Sequence, residues 1–227
     1  ALNSALAASL VVSAVMMTTL VVGPFYLSRG LGLNAAWTGL VIAIGPVVVA
    51  LTGIPAGRLA DRYGAGPITV LGLSAMGLGS LLLALMPITA GVTGYVGALV
   101  VITSGYALFQ TANNAGVMLE IPADRRGVIS GVLNLSRNIG LVTGASVMGA
   151  IFAGASAGFG NGIPSNEAAS AGMRITFAVA VIPASLLTAE WLFNAGIQCL
   201  LLLTRDFQPQ VVPIRIGLLD QPYLPLT

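Results

Sequence analysis

The chain has 227 residues, 56% hydrophobic and only 7% charged, with a net charge of +2. An ordinary soluble domain carries about a quarter charged residues, so this composition excludes a water-soluble globule, and its apolar excess excludes a disordered chain. His and Lys are absent, which excludes imidazole-based catalysis and His-ligated metals. The nine basic residues are all Arg and too thinly spread to bind nucleic acid. Cys199 is the single cysteine, so it forms no internal disulfide or metal cluster, and no motif calls for a cofactor.

Charges punctuate the chain. Residues 1–28, 30–57, 63–119, 127–136 and 138–166 carry none. A transmembrane helix takes about 20 mostly apolar residues. Continuous runs of Leu, Val, Ala and Gly, rather than short alternating segments, predict helices and not barrel strands. The expected fold class is an all-α membrane protein, a six-helix bundle over residues 1–203. Its spans fall at about 5–26, 37–57, 68–86, 92–118, 128–153 and 175–203, with Pro87, Gly91 and Gly94 marking the turn between the third and fourth. The first span has no initiator Met and no basic segment before it, unlike a secretory signal, and reads as starting partway through a longer protein. The sixth contains Pro183 and Glu190 and reads either as one tilted or kinked helix or as a span followed by a surface-lying segment. Residues 204–227, with Pro209, Pro213, Pro222 and Pro225, read as a disordered tail.

Arg58, Arg62, Arg125, Arg126 and Arg205 follow spans 2, 4 and 6, with Arg215 on the tail, whereas the intervening loops hold only Arg29 and Arg174. The positive-inside rule then puts the first set, and both termini, in the cytoplasm of a multi-pass protein of the inner (plasma) membrane, with lipid as its surroundings.

Between spans 2 and 3 the sequence reads Gly57-Arg58-Leu59-Ala60-Asp61-Arg62-Tyr63-Gly64. Gly57 permits close approach of a neighbouring helix. Asp61 suits a charge-assisted bond from an Arg or a helix N-terminus, Arg62 suits an acid across the bundle, and Gly64 suits a positive φ in a tight turn. The stretch reads either as a latch made in one conformation and released in another, or as a positive-inside loop with a helix-stopping glycine.

This G-x-x-x-D-R-x-G loop resembles the signature loop of the major facilitator superfamily. A second stretch is similar to the same superfamily: Gln110-Thr111-Ala112-Asn113-Asn114, then Pro122-Ala123-Asp124-Arg125-Arg126-Gly127, then Asn134-Leu135-Ser136-Arg137-Asn138-Ile139-Gly140. Together they resemble the carboxy-terminal half of the fourteen-span drug:proton antiporters, over roughly residues 1–185. Ala65-Gly66-Pro67 stand where the family loop often continues with bases, and residues after about Glu190 match no family pattern. The resemblance implies a secondary transporter, not an enzyme, that exports drug-like or small metabolite substrates against protons by alternating access. It implies a partner in a missing amino-terminal half or a second copy. Spans 1 and 4 would line the cavity and spans 2 and 5 would face the other half. The alternative is a truncated or split membrane subunit that does not itself transport.

On span 4, Thr103, Tyr106, Gln110, Asn113 and Asn114 follow steps of three and four and fall within an arc of about 100°. Amides are costly in lipid, so this stripe faces the bundle or a wet cavity, as a substrate-binding face or as interhelical glue. On span 5, Ser130, Asn134 and Arg137 share a face. Arg137 lies near mid-membrane and is expected to have an acidic partner or to attract anionic substrate groups. Gly140 and Gly144 form a small-xxx-small pair for close packing. Glu190 is the candidate intramembrane proton site, or else an interfacial residue beside Trp191.

Overall fold

The computed structural model describes residues 2–158 and 165–205, and side chains, other than that of Ser165, as far as Phe193. The tail expected at 204–227 lies, from residue 206 onward, outside the described residues. Six long helices account for nearly all of the described chain. They are α1 (Leu2–Phe25), α2 (Ala35–Tyr63), α3 (Ala65–Leu85), α4 (Gly91–Glu120), α5 (Arg126–Gly158) and α6 (Ser165–Arg205). All six are long and apolar enough to cross a membrane. In lipid a backbone must satisfy its own hydrogen bonds, and with no strand among the described residues helices do so throughout.

Several charges sit on helices where the sequence suggested loops. α2 runs to Tyr63, so Arg58, Asp61 and Arg62 occupy its last turns, and Gly64 alone separates it from α3. Gly64 makes this possible with φ +88°, its N–H closing α2 on Ala60 O at 2.9 Å. The left-handed conformation redirects the chain in one residue, where a longer loop was expected. Arg29 lies in a π-helical turn, Tyr26–Gly30, that continues α1 just after Pro24. Pro24 lacks the N–H that would bond Leu20 O in an α-helix, and one turn on Ser28 Oγ donates to Pro24 O at 2.7 Å. Glu167 and Arg174 belong to α6, which starts at Ser165 and continues through Pro183 as one helix of 41 residues. Arg174 Nε donates to Ala84 O at 3.1 Å and so satisfies a carbonyl in the last turn of α3.

Glycine seams bring the helices together. A Cβ on Gly72 of α3 would stand 2.5 Å from Phe109 N of α4, and one on Gly105 of α4 would stand 2.7 Å from Gly72 O. Gly79 meets Ile102 in the same seam. Gly140 and Gly144 of α5 lie against the backbone of Leu10 and Ala14 of α1, so this small-residue pair packs closely, as its spacing implies. α4 is thereby flanked by α3, α1 and α2, and α5 packs on α1 and α6. Large side chains fill the remaining space: Tyr26, Tyr95, Leu83, Ile102 and Phe177 form one cluster, Val12, Val15, Leu73, Met76 and Phe109 another.

Coverage is uneven. In the most apolar stretches of α1 and α3 half of the residues are buried, against 17% in α2 and 22% in α5. Leu51 of α2 and Val142 of α5 are 71% and 68% exposed. These two are the least covered of the six helices, with α6 next at 28%.

Candidate functional site

The polar stripe of α4 divides according to which neighbour covers each angle of the helix. Thr103 is fully buried toward α2, with its methyl side facing Gly45 and its hydroxyl donating back to Leu99 O at 2.7 Å. Asn113 is only 2% exposed and points at α1: its Nδ2 donates to Ser9 Oγ at 2.9 Å and approaches Ala5 O at 3.5 Å. Tyr106, Gln110 and Asn114 make up the rest of the stripe, all half-buried. Gln110 Nε2 donates to Tyr106 Oη at 3.0 Å, while Gln110 Oε1 is buried without a partner. The stripe is thus tied down at Thr103 and Asn113 and only partly covered at Tyr106, Gln110 and Asn114.

Two cavities flank the stripe. One of about 280 Å³ lies among α1, α2 and α4, lined by Met16, Thr19, Gly45, Pro46, Tyr95 and Thr103 among others, and is almost wholly apolar. The other, of about 490 Å³, lies at the arginine-rich end, between the start of α1, the start of α3, the end of α4 and Trp191 of α6. Asn113 lines it together with Thr69, Gly116 and Glu120.

On α5, Ser130 and Asn134 are exposed and Arg137 is half-buried. Arg137 Nη1 donates to Asn134 Oδ1 at 3.3 Å, and its Nε is buried without a partner. The acidic partner expected for Arg137 is not found among the described residues. Its face belongs to the less covered side of α5, and no carboxylate among the described residues reaches it. Glu190 is exposed on α6, near the end of the span Asn166–Phe193 and beside half-buried Trp191.

The Gly57–Gly64 stretch is likewise incomplete. A Cβ on Gly57 would have no atom within 4 Å, so the close helix approach expected there is not made among the described residues. Arg58, Asp61 and Arg62 are exposed. Asp61 has no hydrogen bond or ion pair among the described residues, and Arg62 lies over its neighbour Tyr63, 5.4 Å from the ring centroid. Neither reading of this stretch is decided by a contact: Asp61 and Arg62 are not paired with another helix among the described residues.

Sequence reasoning missed the partners on α1. Ser9, Ser13, Thr18 and Thr19 are all buried, and Ser136 of α5 donates to Leu6 O at 2.7 Å. Ser9 and Ser13 stand one turn apart on α1, a small-polar spacing that was the available signal.

A sequence model of the Major Facilitator Superfamily matches residues 1–145. The chain is 32% identical over 132 residues to an "Uncharacterized transporter YebQ" of Escherichia coli, covering 58% of this chain and 29% of that protein. It is 29% identical over 127 residues to "Multidrug efflux pump LfrA" of Mycolicibacterium smegmatis, covering 56% and 25%. It is 26% identical over 130 residues to "Riboflavin transporter RibZ" of Clostridioides difficile, covering 57% and 28%. The chain thus spans little more than a quarter of the length of these relatives.

Proposed function

The chain belongs to the major facilitator superfamily, and from that premise we propose that it forms one half of an alternating-access exporter of small, drug-like or metabolite molecules. The observation that carries this reading is the half-buried polar patch on α4, where Gln110 Oε1 has no partner, in a bundle whose α2 and α5 are the least covered helices. An unsatisfied amide in a membrane protein is costly unless water or a ligand reaches it. A second half, packed against α2 and α5, would enclose this patch between two walls, the arrangement in which secondary transporters hold substrate near the midplane. Tyr106, Gln110 and Asn114 are the proposed substrate contacts. Ser130, Asn134 and Arg137 face the junction. Asp61 and Arg62 are the proposed gate, its partners lying on the other half. The end carrying Arg58, Arg62, Arg125 and Arg126 is proposed to be cytoplasmic, in the inner membrane, with both termini on that side.

The test is dye efflux by the full-length protein in inverted vesicles under an imposed proton gradient. Gln110→Leu should change which dyes are carried while the protein still inserts; an unchanged profile removes this patch from the substrate path. Export against inward proton flow is part of the proposal, and Glu190 is its candidate carboxylate in this segment. Efflux that Glu190→Gln leaves fully responsive to the gradient removes that residue from the coupling.

A further inference from the structure

Arg137 is a charge that the fold leaves without a counter-ion. It stands eleven residues beyond Arg126, the first residue of α5, and so about 16 Å along the helix axis, near the middle of a hydrocarbon core of about 30 Å. The carboxylates of the described residues lie toward the ends of the helices. Asp61 is in the last turn of α2, Glu120 and Asp124 flank the turn from α4 to α5, Glu167 is in the first turn of α6, and Glu190 is near the end of its span. Of the N–H donors of the guanidinium, one reaches Asn134 Oδ1 at 3.3 Å. Nε is enclosed without a partner, whereas Nη2, also unbonded, is not enclosed. A guanidinium only donates, so the Asn134 atom turned toward it is the oxygen, and the NH2 of that amide is left free. Asn138, the next residue along α5, is exposed and makes no hydrogen bond among the described residues. This stretch of α5 therefore presents one positive charge and two amides with free donors, and no negative charge.

We propose that it is a binding site for an organic anion, whose carboxylate or similar oxyanion takes Nη2 of Arg137 while Asn134 and Asn138 donate to its remaining lone pairs. The inference rests on the reading that α5 faces a junction with a second half, and adds that the molecule held there is negatively charged. Hydrocarbon or a neutral ligand leaves the guanidinium uncompensated at this depth, whereas an oxyanion supplies the counter-charge through charge-assisted hydrogen bonds. A carboxylate fixed on the other half is the competing counter-ion. It would need the guanidinium alone, and the free amide donors on either side of Arg137 favour a ligand that arrives with its own acceptors.

Two probes of the same shape test it: 2-naphthoate, a carboxylate at pH 7, and 2-naphthamide, its neutral counterpart. Equilibrium dialysis reads their affinities for the full-length protein in phosphatidylcholine nanodiscs, which carry no net charge. The naphthoate should bind about tenfold more tightly. Arg137→Gln should abolish that preference and leave the naphthamide affinity unchanged. Asn134→Asp keeps the contact with Arg137 and gives it a fixed counter-ion, so it too should abolish the preference, in a protein whose intramembrane charge is compensated. Equal affinities in the unsubstituted protein overturn the proposal, and are the result expected if the other half already supplies a carboxylate. A preference that survives Asn134→Asp places the anion elsewhere and overturns it as well. Dialysis needs no proton gradient, so a failed efflux test does not erase a tenfold preference, and equal affinities reject the anion site without touching efflux.

Discussion

Asn113 looks like one more member of a polar stripe, yet its two ends do different things. Nδ2 ties α4 to α1 through Ser9, while Oδ1 stays free. A double-mutant cycle with Ser9→Ala and Asn113→Ala, read by unfolding in mixed micelles, should give a coupling of about 0.6 to 1.7 kcal/mol, the range of interhelical hydrogen bonds in membranes. Zero coupling would mean that the clasp holds nothing. Asp61 is the reverse case, a charge with no partner in the described bundle. Asp61→Asn removes the charge and keeps the shape, so stability should stay within about 0.5 kcal/mol, as for other exposed sites. Transport by the full-length protein should nevertheless slow severalfold, because the gate would lose a charge-assisted bond to the other half. Full-rate transport in that variant would leave Asp61 with no role in gating.

At the scale of helices, glycine separates packed seams from open faces. Gly72 sits where a side chain would strike Phe109 of α4, so Gly72→Leu should destabilise the bundle by about 1–3 kcal/mol or more, as overpacking does. Gly57, with nothing nearby, should tolerate Ala and gain about 0.5–1 kcal/mol of helix stability. Thermal unfolding in detergent compares the two, and equal losses would contradict the seam. These two glycines also mark what the sequence made legible. Six apolar runs between charges are enough to read six helices, and the four-residue step from Gly140 to Gly144 is enough to read a close contact. A helical wheel, however, gives an angle on its own helix and says nothing about which neighbour occupies that angle. Gly57 therefore looked like a contact and is open, while Gly72 and Gly105 went unnoticed and carry the α3–α4 seam. Asn113 and Gln110 lie on one stripe, and only the position of α1 makes the first a clasp and leaves the second half-buried. The Arg137 partner was expected for the same reason: burial cost was legible, but the identity of the covering surface was not.

For the molecule as a whole, the question is what the walls made by α2 and α5 face. A bundle exposing Leu51 and Val142 can meet lipid there, or a second six-helix body. The polar groups decide between these. Ser130 and Asn134 are exposed on α5 and Arg137 Nε is unsatisfied, and hydrocarbon offers such groups nothing. A wall carrying an arginine at this depth is better matched by a water-lined or protein-covered junction than by acyl chains. Cysteines placed at Leu51 and Val142 should therefore react with a lipid-soluble maleimide in the isolated 227-residue segment and be shielded in the full-length protein. A cysteine at Leu71 of α3, 49% exposed, serves as the comparison, since α3 is not among the proposed junction helices and should react in both. If Leu51→Cys and Val142→Cys label equally in the two proteins, the walls face lipid, and the half-transporter arrangement loses its junction.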